Sequence, residues 1–505
     1  MQLINMAIRG YFFHRNDRVS NLYRHSFKNQ AKWLTYINKN GSNTLFGKEH
    51  HVEATMSYSQ FAERVPLYDY NSLFPYIERI IRGEDNILWS SKIKWVAKSS
   101  GTSDSKSKYI PVSYESLIFN NYISAQDSLT FYTKMAPKTT IFSGKGITLG
   151  GGFQEKQENV KVKCGDISAI LLDNMPLVGD FLRASNRKIL LNSNWDKKLQ
   201  LLAESTQHEN ITSLSGVPSW MLLVLKEVLR LQNKDNILDV WPKLELFFHG
   251  GVSFAPYYEE YKKIIPDDKF IYLNVYNASE GFFGLQDQIH SDELLLLTDN
   301  GVFYEFIPMN EVGSIGATAI PLEDVKINQN YAMVISTLGG LWRYIIGDTV
   351  QFTSLNPFRF KITGRTTHYI NAFGEEVIVD NADKAINNAC QKTGASYISY
   401  TAAPIFLEKD NSKACHEWVI EFTTPPSDIN LFGEVLDQTL KSLNSDYETK
   451  RTNDLILKKP KIHVAKPGTF IKWLEKNNKL GGQHKVPHLQ NNREIIEQVL
   501  LLMEN

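Results

Sequence analysis

Between residues 57 and 336 the hydrophobic pattern switches repeatedly between two periods, and a chain that does so is confined to folds that layer helices on a sheet. Ser57–Arg64 and Leu73–Arg82 carry apolar residues at helical spacing, the second through Leu73, Phe74, Tyr76, Ile77, Ile80 and Ile81. Pro218–Leu231 reads as a strong helix with its proline in the first turn, where a missing N–H costs nothing. Short β-branched or aromatic runs separate them at Ile93–Ala97, Leu244–Phe248, Phe270–Val275 and Ala332–Ser336. The fold class is therefore α/β, a large N-terminal domain whose mixed or largely parallel sheets are flanked by helices.

After about Asn356 the pattern changes. Phe358–Thr363 reads as a strand, Gly364-Arg365 as a turn and Tyr369–Phe373 as a second strand. A helix (Asn381–Lys392, ending near Gly394), strands at Tyr397–Leu407 and Glu417–Thr423, a helix at Ile429–Leu443 and a strand at Lys461–Ala465 follow. The order βαββαβ predicts a smaller, mobile α+β C-terminal domain. The boundaries read as 1–357 and 358–505, with a hinge near 358–368.

Composition narrows the partners. Lys plus Arg and Asp plus Glu are 55 each, so no whole-chain field draws the protein to nucleic acid or an anionic membrane. An anionic ligand must be held by a local site. The cysteines, Cys164, Cys390 and Cys415, are widely spaced with no CxxC pair, which suits a reducing cytoplasm and excludes a cysteine-rich zinc site. The most apolar stretches, Trp220–Leu225 and Leu294–Leu297, fall far short of the ~20 residues a membrane helix needs. The expectation is a cytoplasmic protein, monomeric or weakly dimeric, with no nucleic-acid or membrane partner.

Four segments carry chemistry. Ser99-Ser100-Gly101-Thr102-Ser103-Asp104-Ser105-Lys106-Ser107-Lys108 follows a strand and gathers N–H, O–H and lysine donors of the kind a polyphosphate needs. It lacks the glycine spacing of the P-loop, and it reads equally as a serine-rich surface turn. Tyr276-Asn277-Ala278-Ser279-Glu280-Gly281 ends another strand; its tyrosine can cover a base and its carboxylate can hold Mg²⁺ against phosphate, the alternative being a solvated turn. In Trp342-Arg343-Tyr344-Ile345-Ile346-Gly347-Asp348, a glycine breaks an apolar strand before a carboxylate that can accept both ribose hydroxyls, or merely cap a turn. At His249-Gly250-Gly251 the missing side chains would let a flat ring lie on backbone, if the pair is more than a turn. Loops at the carboxyl edge of an α/β sheet converge, so all four could meet in one crevice.

Taken in order, these segments resemble the auxin-responsive (Gretchen Hagen) acyl-acid amidosynthetase family, in a bacterial-type form. That family lies within the adenylate-forming superfamily, with acyl-CoA synthetases, peptide-synthetase adenylation domains and luciferases. The family's Ser-Ser-Gly-Thr-Ser loop is matched by Ser99–Ser103 with Lys106, Lys108 and Pro111 in step, its Tyr-Ala-x-Ser-Glu by Tyr276–Glu280, and its Tyr-Arg-x-Gly-Asp by Tyr344–Asp348. Its phenylalanine before the domain hinge corresponds to Phe358, and its late stretch to Gly468-Thr469-Phe470 and Gln483-His484-Lys485-Val486-Pro487. The likeness covers nearly the whole chain. Asp104-Ser105 stands where many members have glycine, Ile345 replaces the plant-type arginine, and Gly364-Arg365-Thr366 is nearer the general superfamily hinge.

The resemblance implies that ATP-Mg²⁺ and a carboxylic acid form an acyl-adenylate, from which an amine, foremost an amino acid, takes the acyl group as an amide. An acyl-CoA ligase and a catalytically silent nucleotide-binding protein are the alternatives. The implied nucleotide site is Ser99, Ser100, Gly101, Thr102, Ser103 and Lys108, with Gly250, Gly251, Tyr276, Ala278, Ser279, Asp348, Phe358 and Arg365. Within it Ser100–Ser103 hold phosphate, Asp348 the ribose, and Tyr276 and Phe358 pack at adenine and ribose. Glu280 is the implied Mg²⁺ ligand. Lys485 is the implied mobile-domain lysine that meets the carboxylate and the α-phosphate, the alternative being a surface lysine of a basic tail, and the aromatic helix Leu117–Tyr132 reads as an acyl-pocket wall or equally as an ordinary core helix.

Overall fold

The computed structural model describes residues 2–99, 108–154, 160–251, 254, 257–308, 311–312, 316–365, 369–370, 373–375, 377–406, 414–452, 457–477 and 486–504. The chain divides into two compact units, the first comprising 1–99, 109–251 and 258–366 and the second mainly 367–505.

In chain order the strands of the first unit are β1 (Trp95–Ser99), β2 (Lys108–Val112), β3 (Lys145–Thr148), β4 (Lys163–Gly165), β5 (Ile211–Gly216), β6 (Leu246–His249), β7 (Ile271–Ala278), β8 (Gly281–Leu285), β9 (Leu294–Leu296), β10 (Val302–Pro308), β11 (Ile320–Pro321), β12 (Asn330–Thr337), β13 (Tyr344–Leu355) and β14 (Phe358–Arg365). β2, β1 and β4 make a small sheet; the others make one large sheet in the order β11-β10-β12-β13-β14-β9-β8-β7-β6-β5-β3. Within the large sheet β3, β5, β6 and β7 run parallel, and every pair from β7 outward is antiparallel. The sheet is thus mixed rather than largely parallel.

The change of direction happens inside one strand. Residues Ile271–Asn274 of β7 register in parallel with Leu246–His249 of β6, whereas Val275–Ala278 register antiparallel with Leu285–Gly281 of β8. The two-residue connection Ser279-Glu280 is what lets β8 return antiparallel, since a parallel return needs a crossover of a dozen residues or more.

The helix expected over 57–64 spans Tyr58–Arg64, that over 73–82 spans Tyr70–Ile81, and that from Pro218 ends at Gln232. Capping boxes at Ser57 and Asp69 start the first two. The helix Tyr58–Arg64 is pinned to the sheet by a buried ion pair. Arg343 lies 2.8 Å from Glu305 and donates to the Ala62 and Val65 carbonyls, while Tyr58 donates to Glu305 at 3.0 Å. With its charges so completely hydrogen-bonded, the pair fixes where β10, β13 and that helix meet.

In the second unit β15 (Tyr369–Ile370) pairs with β16 (Val377–Ile378), and β17 (Ser396–Ile405), β18 (Cys415–Thr424) and β19 (Lys461–Ala465) form a sheet. Helices Val379–Thr393 and Ile429–Leu443 supply the α layers that the sequence predicts, and Ser445–Arg451, Thr469–Lys476 and Glu494–Glu504 add three that it does not. Gly364-Arg365 is strand rather than turn, because Gly364 registers with Thr349 and Arg365 with Asp348 on β13. The strand from Phe358 therefore belongs to the large sheet, and the change of unit falls after it. Among the described residues no helix is long and apolar enough to cross a membrane.

Candidate active site

The carboxyl ends of β6 and β7 lie against each other because glycine allows it. A Cβ on Gly250 would sit 2.4 Å from the Val275 carbonyl oxygen, so a side chain there would push the two strand ends apart. Gly251 has φ +80°, a conformation L side chains rarely adopt. Beside them His249 is buried, and burial pushes its imidazole down to about 3, which keeps it neutral. At the end of β3 the buried Lys198 ammonium donates to the Gly150 and Gly151 carbonyls, both at 2.8 Å. Burial pushes this lysine down to about 8 against the opposing pull of Asp166.

Tyr276 and Asp348 are four strands apart, on β7 and β13, a spacing of roughly 19 Å if the sheet were flat. Yet the Tyr276 hydroxyl donates to the Asp348 carboxylate. The sheet must therefore curl between β7 and β13. Phe283 and Phe360 fill the space beneath, with ring centroids 5.1 and 6.1 Å from that of Tyr276. Gly284 makes room, since a Cβ there would meet the Phe360 ring at 2.9 Å. Both members of the pair are buried. Gly347 does not break the strand as its sequence suggests: with φ of +94° it bends β13, which runs on to Leu355, so Asp348 lies within the strand, in register with Arg365.

Ser279 ties a second motif to the first. Its hydroxyl donates to the Lys98 carbonyl at 3.2 Å, so the β7–β8 turn is fastened to the residue that precedes Ser99, where the serine-rich segment begins. Lys108 opens β2, and Ala278 packs against the main core. Glu280 lines a narrow cavity of about 10 Å³ with Asn120, Ser116, Thr337 and neighbours. Among the described residues no cluster of three or more His, Cys, Asp or Glu could hold a metal by itself. Glu280 is the carboxylate among that cavity's lining residues, and a lone carboxylate suits a Mg²⁺ that keeps its waters and bridges to phosphate better than a dedicated metal cage.

Other expected site residues lie elsewhere or outside the described residues. Phe358 is buried in the core against Phe27 and Phe352, at 5.7 and 5.9 Å, and the β14 ring that reaches Tyr276 is Phe360. The reason is local: Phe358 starts β14 opposite Leu355, at the far end of the strand from Asp348. Ser100, Gly101, Thr102, Ser103 and Lys485 lie outside the described residues, as does the side chain of Arg365. Immediately after Lys485 the chain is firmly held. Val486 is buried, Thr401 donates to the Pro487 carbonyl at 2.8 Å, and Ala402 N–H donates to that of His488 at 2.7 Å. The late Gly468-Thr469-Phe470 motif is a helix start whose Gly468 and Phe470 N–H groups donate to buried Glu421. It reads as structure rather than chemistry.

Comparison with known proteins follows the same outline. The GH3 family N-terminal domain matches residues 15–270, the GH3 family central domain 295–365 and the GH3 family C-terminal domain 380–494. The chain is 23% identical to indole-3-acetic acid-amido synthetase GH3.3 of Arabidopsis thaliana over 540 residues, covering 93% of this chain and 90% of that one. It is also 23% identical to the 4-substituted benzoates-glutamate ligase GH3.12 of the same plant, covering 85% and 86%. Among solved structures, the GH3.15 acyl acid amido synthetase superposes with a TM-score of 0.60 at 18% identity, covering 96% and 95%. A 2-hydroxyisobutyryl-CoA ligase in complex with 2-HIB-AMP and CoA superposes with 0.54 at 13%, covering 94% and 92%. At these identities the two structures bear on the fold alone.

Proposed function

Since the chain belongs to the GH3 family, we propose that it activates a carboxylic acid with ATP as an acyl-adenylate and then transfers the acyl group to an amine, in the first place an amino acid, to form an amide. The observation that carries this reading is the meeting of Tyr276 and Asp348 across the curled sheet, with the Ser279-Glu280 turn fastened to the strand that leads into Ser99.

In the first half-reaction a carboxylate oxygen of the acid bonds to the α-phosphorus of ATP, and pyrophosphate leaves with the electrons of the broken P–O bond. Two anions must be brought within about 3 Å, so the work of the site is positioning and charge compensation. In this reading Gly250 and Gly251 leave a flat wall for the purine, Tyr276 orients the Asp348 carboxylate through its hydroxyl, and Asp348 accepts from the ribose hydroxyls. The ring beside Tyr276 is Phe360. Ser99 to Ser103 and Lys108 donate to the phosphates, and Lys485 supplies positive charge where carboxylate meets α-phosphate. Glu280 is the residue that would hold Mg²⁺, which bound there neutralises phosphate charge. In the second half-reaction the amine nitrogen bonds to the acyl carbon, loses a proton and expels AMP.

The test is pyrophosphate release with ATP over a matrix of carboxylic acids and amino acids, with products identified by mass. Acid-dependent release and an amide product are expected. Thioester formation with coenzyme A and no amide would reassign the chain as a thioester ligase. ATP binding without release from any acid would make it a nucleotide-binding protein with no adenylation activity.

A further inference from the structure

The Ser279-Glu280 turn is short, and the orientation of Glu280 depends on what fixes the chain on either side. Upstream the anchor is Ser279 on the Lys98 carbonyl. Downstream it is Asn120. The Phe282 N–H donates to its Oδ1 at 2.7 Å, and its Nδ2 donates back to the Phe282 carbonyl at 3.0 Å and to that of Asn300 at 3.2 Å. Asn120 thus pairs with Phe282 as a neighbouring strand would, on an edge of β8 that β9 reaches only from Gly284. Asn300 completes the arrangement by donating to the same Phe282 carbonyl at 2.6 Å. Asn120 is 3% exposed and Asn300 fully buried, so no water substitutes for these bonds cheaply.

The backbone that carries Asn120 is itself unusual. Ser116–Tyr122 is a π-helix leading into the helix Ile123–Met135. Such turns are rare and gather at functional sites. Here the π-helical turn sets the Asn120 amide against a strand, a contact that a surface helix residue does not make. Gly281 completes the fit, since a Cβ there would meet Asn120 Oδ1 at 3.1 Å and the Phe283 ring at 2.9 Å. The Asn120 side chain also lines the cavity that Glu280 lines.

We propose that Asn120 is a positioning residue for Glu280. It holds the β7–β8 turn so that the carboxylate meets the phosphate-bound metal. The proposal rests on Glu280 being the Mg²⁺ ligand, and the experiment separates the two. ATP binding is measured by calorimetry with and without Mg²⁺ for the unmodified protein, Asn120→Ala, the isosteric Asn120→Asp and Glu280→Gln. Amide formation from a pre-made acyl-adenylate, which needs no pyrophosphate chemistry, is measured alongside. In both Asn120 variants the gain in ATP affinity given by Mg²⁺ should shrink about tenfold, the effect of losing one or two buried hydrogen bonds. Metal-free ATP affinity and amide formation should stay within about threefold. A Mg²⁺ gain kept by both Asn120 variants but lost in Glu280→Gln overturns the positioning role and leaves Glu280 in place. A gain kept in Glu280→Gln removes Glu280, and the proposal with it. Loss of metal-free binding and amide formation in both Asn120 variants would make Asn120 a folding residue and overturn the proposal as well.

Discussion

Replacing Tyr276 by Phe removes one oxygen and leaves the ring against Phe283 and Phe360, which makes it a clean probe of the bond between β7 and β13. The lost bond joins a hydroxyl to a carboxylate and both partners are buried, so it falls in the class worth roughly 1.5–3 kcal/mol. An unfolding entropy of about 2.1 cal/mol/K per residue over the about 350 residues of the first unit turns that into a drop of roughly 2–4 °C in its melting temperature. The assay is scanning calorimetry of a double-mutant cycle with Asp348→Ala. Once Asp348 is alanine, the Tyr276 hydroxyl no longer has that carboxylate, and removing it should cost clearly less than in the unmodified protein. Coupling between the two substitutions is therefore expected. The same drop in both backgrounds would mean that the hydroxyl does not act through Asp348, and the contribution assigned to this contact between β7 and β13 would fail.

Glu280→Gln should lower acid-dependent pyrophosphate release by the order of 10²-fold or more with little change in melting temperature, because an amide holds Mg²⁺ poorly. Lys485→Ala should slow acyl-adenylate formation strongly while ATP affinity stays within a few-fold and amide formation from a pre-made adenylate survives better; an equal fall in both half-reactions would point to docking instead. Glu417 is opposed by burial, but bonds from Arg493, His463 and Lys461 outweigh it and hold the carboxyl at about 2. Its stabilising effect is therefore complete above the ordinary value near 4.5 and is lost as pH falls toward 2. The melting-temperature difference between the unmodified protein and Glu417→Gln should shrink across that window, and a constant difference would refute the assignment.

What the sequence reveals here is what local chemistry dictates. Pro218 fixes a helix start, and Tyr276–Glu280 announces a strand end because a polar cluster interrupts an apolar run, whereas Gly347-Asp348, which carries the same signal, lies inside β13. The periods of the C-terminal segment predict the bounds of Ile429–Leu443 and Lys461–Ala465 to the residue. Long-range placement leaves no such trace. Nothing in Gly364-Arg365 says that β13 waits opposite to pair with it, so a pair of residues with turn chemistry becomes strand. Phe358 and Phe360 are indistinguishable by type and spacing, and only the curl of the sheet decides which ring meets Tyr276. Asn120 lies in a run that reads as an ordinary aromatic helix, and a π-helical turn has no signature in hydrophobic period.

The switch of partner within β7 gives the site a built-in measure of length. One uninterrupted stretch of backbone carries the carbonyl that packs on Gly250, the ring and hydroxyl of Tyr276 and, past Ala278, the carboxylate of Glu280. At roughly 3.3 Å per residue, the spacing between the proposed purine wall and the proposed metal ligand is set by a residue count and not by the packing of separate elements. Side chains along this stretch can be exchanged one at a time, but a single inserted or deleted residue would turn Tyr276 to the opposite face and displace Glu280 by a full step. In this enzyme family the length of that segment should vary less than its composition.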